Sequence, residues 1–140
     1  MKFVCDAPDK KTWFRIETID EAEKESILMD HAVAKHFKRE REKAALSYKP
    51  TSNVFIEQNI GLEAHLQRTM PLFLTLRNGD GDGLATAMLP PGGDDDPHFK
   101  KIIVGVGNCD PYPEHEKAIQ TLGTHYRLTL KRRDCYPYGR

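Results

Sequence analysis

The chain has no long apolar run, no surplus of charge of either sign and little cysteine. Each absence closes off a class of function. A membrane span needs about 18 consecutive apolar residues, and no window of these 140 residues approaches that. The opening Met1-Lys2-Phe3-Val4-Cys5-Asp6 soon turns acidic and lacks the apolar core of a secretory signal. Lysine plus arginine number 21, as do aspartate plus glutamate, for a formal net charge of +0. A dedicated nucleic-acid binder carries a basic excess, because phosphate contacts supply most of its affinity, so that role is disfavoured. Cys5, Cys109 and Cys135 share no spacing of a disulfide framework or a zinc ribbon. A reduced, cytoplasmic protein without membrane contact is expected.

Complete site motifs are missing too. Ile102 to Gly107 ahead of a helix starts like a phosphate-cradling turn. Asp110 stands where the third glycine of a dinucleotide loop belongs, and its charge repels phosphate. Pro111 and Pro113 remove backbone donors from the cradle, and no cofactor is expected. Asn78-Gly79-Asp80-Gly81-Asp82-Gly83 spaces its oxygen donors as the first half of a calcium loop does, but Leu89 replaces the closing carboxylate. A hairpin turn in which Asn and Gly take positive φ is the leading reading. Weak calcium binding by Asn78, Asp80 and Asp82 is its alternative. His31 and His36 are five apart, the wrong interval for two ligands on one helix face, and no zinc centre is expected.

What is present is ordinary globular material, 39% apolar and 30% charged, and 140 residues suit one domain. Phe3 to Cys5 and Trp13 to Glu17 flank a proline- and aspartate-bearing turn, which predicts an N-terminal hairpin. Thr18-Ile19-Asp20-Glu21 has the form of a capping box. Behind it Ile19, Ala22, Ser26, Met29, Val33, Phe37, Ala44 and Tyr48 recur at helical steps as far as Pro50. That pattern predicts a single helix of about thirty residues, roughly 45 Å long. Val54-Phe55-Ile56 admits a strand, and Leu62 to Met70 predicts a short helix stopped by Pro71.

Leu72 to Arg77 and Leu84 to Leu89 read as a second hairpin, and residues 90–98 as a mobile loop. Ile102 to Val106 is continuously apolar, as a central strand covered on both faces would be. Pro113 and Gly123 bracket another short helix. Tyr126, Leu128 and Leu130 suggest a last strand, and 132–140 a frayed tail. The fold class is α+β: a mixed or mostly antiparallel sheet of five to six strands, packed on one long helix plus two short ones.

Three functions follow in order of support. The first is binding, through self-association as a homo-oligomer or through a protein partner. The second is a small enzyme with Cys109 as nucleophile and His115 as base, the amides of Gly107 and Asn108 steadying an oxyanion. The third is nucleic-acid binding by the tail, where Arg127, Lys131, Arg132, Arg133 and Arg140 alternate with Tyr126, Tyr136 and Tyr138.

Overall fold

The computed structural model describes residues 1–139. Among them are five strands: β1 (Lys2–Ala7), β2 (Lys11–Arg15), β3 (Leu72–Arg77), β4 (Gly83–Leu89) and β5 (Ile102–Val104). Four helices accompany them: α1 (Ile19–Met29), α2 (Val33–Leu46), α3 (Phe55–Thr69) and α4 (Tyr112–Tyr126). The strands form one antiparallel sheet in chain order, with α1 to α3 inserted between β2 and β3. The class is therefore α+β. No helix among the described residues is long and apolar enough to cross a membrane.

The sheet is covered on both sides. Trp13, Leu74, Leu76, Ala87 and Ile103 face α4, whose Ile119 and Leu122 are fully buried against them. Ile16 and Phe73 face the other way, onto Ala22, Val33, Phe37 and Leu66 of α1 to α3. The middle strand β3 is consequently apolar at nearly every position, and Leu72 to Leu76 are all buried.

Both predicted hairpins form. The capping box forms as well: Thr18 Oγ1 accepts the Glu21 N–H at 3.1 Å, and Glu21 Oε1 accepts the Thr18 N–H at 3.1 Å.

The single long helix is two helices. Asp30 ends α1 in the left-handed region at φ 52, and α2 begins three residues later. Ser26 makes the break tolerable. Its carbonyl accepts the His31 N–H at 3.2 Å, and its hydroxyl accepts the Ala34 N–H at 2.8 Å. The carbonyl and hydroxyl of Ser26 thus stand in for the missing helical ladder, and α2 packs against α1.

Val54 to Ile56 start α3 rather than a strand. Ser52 anchors that start, accepting the Val54 N–H at 3.1 Å and the Gln58 side chain at 2.8 Å. The run Ile102 to Val106 is an edge strand of three residues, not a central one. It stops because the Gly105 N–H turns to the Cys109 carbonyl at 2.7 Å. Its apolar character is explained by a strap from the C-terminal segment. Tyr136 donates to the Lys101 carbonyl at 2.8 Å and accepts from the Ile103 N–H at 3.3 Å. Within that segment, read above as fraying, Cys135 is only 1% exposed.

Gly123 lies inside α4 rather than past its end: an added Cβ would sit 2.8 Å from the Leu128 carbonyl oxygen. Tyr126 closes that helix, and Leu128 and Leu130 belong to no strand; both are buried in the α4-side core. In the 90–98 segment, Pro91–Gly93 form a tight turn in which Gly92 and Gly93 take φ 66 and 74, with Gly93 buried against Tyr126.

Candidate functional site

Helical spacing turns Ala22, Glu25 and Met29 of α1 toward the sheet. Glu25 is the exception in chemistry, a carboxylate at 0% exposure. Burying it is tolerable only because the opposing strands supply donors. Arg77 at the end of β3 reaches Glu25 Oε1 at 2.6 Å, and Thr86 of β4 donates its hydroxyl to Oε2 at 2.7 Å. Thr75, paired with Thr86 across the strands, accepts a further donor of Arg77 at 3.1 Å. Among the described residues no buried side-chain nitrogen or oxygen lacks a partner.

His31 extends the chain outward. The break after α1 places its Nε2 at 2.8 Å from Thr86 Oγ1. The Val33 N–H points at Nδ1 from 3.4 Å, so the ring proton belongs on Nε2. Hydrogen bonds then run in one direction, from His31 to Thr86 to Glu25. Burial holds the His31 pKa below its ordinary value, which keeps the ring neutral.

Beside this chain lies a recess of about 210 Å³, between the start of α2 and the β4–β5 edge. Phe73, Met88, Ile102, Val104 and Tyr136 give it mainly apolar walls. Its inner polar groups are His31 and Thr86; half-exposed His36 and exposed Asn108 stand at its mouth. Asn108 is held there with φ at 62, a backbone state that Asn tolerates better than most residues. No Asp, Glu, Lys or Arg lines the recess among the described residues.

The residues singled out by sequence lie elsewhere. Cys109 is exposed after the Val106–Asn108 turn, and its carbonyl accepts the Gly105 N–H and, at 3.3 Å, the Tyr138 hydroxyl. His115, in the first turn of α4, accepts Lys11 Nζ at 3.0 Å on Nδ1. Burial first, and Lys11 second, hold its pKa below the ordinary value. Among the described residues no hydrogen bond joins Cys109 to His115. The amide of Asn108 donates to the Gly105 carbonyl at 3.1 Å. His115 lines a separate polar recess of about 230 Å³ with Lys11 and Lys117, and Cys109 lines neither recess.

In the glycine-aspartate loop, Asn78 Oδ1 accepts the N–H groups of Asp80 at 3.0 Å and Asp82 at 2.9 Å. Asn78 Nδ2 holds the Asp82 carboxylate at 3.0 Å, and Gly81 takes φ 82. The oxygens proposed for calcium are thus partly committed to the turn itself. Among the described residues, no group of three or more His, Cys, Asp or Glu side chains is placed to hold a metal ion. In the tail Lys100 covers the Tyr136 ring at 4.0 Å and Arg132 the Tyr138 ring at 4.5 Å. Arg140 lies outside the described residues.

Glu25 and Thr86 carry no motif in the sequence, and His31 stands out there only as a metal ligand at the wrong spacing. One signal was available: Glu25 interrupts an otherwise apolar stripe three residues after Ala22 and four before Met29. Comparison with family models, with curated proteins and with solved structures finds no match to this chain.

Proposed function

We propose that this protein acts by binding, and that it takes a small, largely apolar molecule into the recess beside His31. One observation carries this reading: a mainly apolar recess whose innermost polar groups, His31 and Thr86, are already bonded within the protein. Such a site favours uptake over chemistry, since a nucleophile needs a base free to accept its proton. A dry cavity of about 150 Å³ is enough to admit benzene, so a recess of about 210 Å³ suits a single ring with a substituent. Toluene titrated into ¹⁵N-labelled protein should shift the amides of residues 31–36, 86–88 and 102–104. Val104→Phe, which fills the recess, should abolish those shifts. Absence of any shift with toluene and with its hydroxylated analogue phenol in the native chain would end the proposal.

Self-association has its own support. Phe55 is 74% and Ile56 68% exposed at the start of α3, with Val54 just before them and Ile60 one turn on also exposed. Contiguous apolar surface of this kind marks interaction sites, and a chain of zero net charge does not repel its own copy. Sedimentation of the native chain and of Ile56→Asp over a wide concentration range tests it. A native chain that stays monomeric throughout excludes it.

Catalysis by Cys109 and His115 has less support, because the imidazole is engaged by Lys11 and Cys109 lines neither of the two recesses described. Nucleic-acid stacking on the tail has less support, since Arg132 covers the Tyr138 ring and Tyr136 lines the recess beneath Lys100.

A further inference from the structure

We infer that the ligand of the recess is an uncharged single-ring aromatic compound whose hydroxyl group is held by His36 and Asn108. The inference rests on the binding reading above and narrows it to a chemical class.

The absence of charge follows from the lining. No lining residue carries a fixed charge, and the nearest buried charge, Glu25, is already satisfied by Arg77 and Thr86. A carboxylate or ammonium entering such a site would lose water, and the cations at its rim, Arg39 and Lys100, are already engaged by His36 and by the Tyr136 ring. The two lining histidines do not supply one either. His31 is held neutral by burial. His36 is held below the ordinary imidazole range by burial first, then by Arg39 and Lys35.

The aromatic ring follows from size and walls. The recess holds about 210 Å³, with the ring of Tyr136 and the thioether of Met88 among its lining side chains, while Phe73, 1% exposed, closes its floor. Aromatic and thioether groups gain more from a planar π-system than from a saturated ring of equal size.

The hydroxyl follows from the two polar groups at the mouth. Arg39 donates to His36 Nδ1 at 3.0 Å, so the neutral ring carries its proton on Nε2. That Nε2, and the side-chain amide of Asn108, have no hydrogen-bond partner among the described residues. His36 offers a donor, and Asn108 offers both a donor and an acceptor. A hydroxyl accepts from one and donates to the other, whereas a bare carbonyl would leave the Asn108 acceptor unused. His31 and Thr86, deeper in, are not available for this role because they bond each other.

The test uses the full chain near neutral pH, titrated by NMR and calorimetry with phenol, toluene, benzoate and cyclohexanol. Phenol should bind about tenfold more tightly than any of the other three. Asn108→Gly keeps the left-handed backbone available while removing the amide; it should narrow the preference for phenol over toluene severalfold, and an unchanged phenol-to-toluene ratio would overturn the Asn108 contact. Benzoate binding as tightly as phenol would overturn the uncharged class, and cyclohexanol doing so would overturn the ring. Toluene matching phenol in the native chain would overturn the hydroxyl contact, and that comparison needs no variant to fold. Failure of all four compounds, toluene included, would instead remove the binding reading itself.

Discussion

Glu25 sits where the period of α1 calls for an apolar side chain, and its carboxylate is stable there only in company. A buried ion pair contributes little net stability, but removing one partner strands the other. Arg77→Met should therefore cost about 3–5 kcal/mol in a urea titration. Pairing it with Glu25→Leu should recover much of that loss. A double variant no more stable than Arg77→Met alone would show that the carboxylate is not stranded by the single change. The neighbouring His31 gives the fold an acid limit. Its pKa in the folded protein is lowered by burial, so the unfolded chain binds a proton first as pH falls. The stability conferred by its neutral burial is full above the unfolded value of about 6.5 and declines as pH falls through the lowered folded value. Urea midpoints should drop between about pH 7.5 and 5.5, and His31→Gln should flatten that drop. A native profile flat across that interval would contradict it. None of this cluster was legible beyond the odd placement of Glu25, because its partner Thr86 lies 61 residues away in the chain.

Elements whose cause is local were legible. The capping box spans four residues, and each hairpin is set by its own turn and alternation. The break between α1 and α2 was not, since the apolar stripe from Met29 to Val33 keeps a helical step across it. What decides is Asp30 in the left-handed region, a state that Asp tolerates and β-branched residues resist. Asp30→Val should cost about 1–2 kcal/mol, while Asp30→Gly should be neutral or stabilising. Equal thermal midpoints for the two variants would mean the left-handed turn is not what separates the helices. The run Ile102 to Val106 misled for a different reason. An apolar strand covered by a strap of its own chain reads the same as one covered by a neighbouring strand, and the Tyr136 bridge leaves no local trace.

At the scale of the whole molecule, the α+β class and a mainly antiparallel sheet were within reach of the sequence, because hairpins and helices announce themselves separately. The division of the core was not, since β3 is apolar on both faces and hides which side each residue serves. The sheet separates two clusters, one under α4 and one under α1 to α3. Phe37 belongs to the second, 2% exposed and edge-on to Phe73 at 5.2 Å. Phe37→Ala should cost about 3–5 kcal/mol, and a loss below about 0.5 kcal/mol in a urea titration would place that ring outside the load of the core. The first cluster holds the chain's single tryptophan, Trp13, 0% exposed with its indole N–H on the Ala118 carbonyl at 2.9 Å. The molecule therefore has a built-in optical reporter with a blind side: indole emission sees the α4 layer open and registers nothing of the layer that borders the recess. Where fluorescence and backbone circular dichroism trace one melting curve, the two layers open as a unit; where emission lags, the layer beside the recess loosens first, and a bound ring compound would pull the two signals back together.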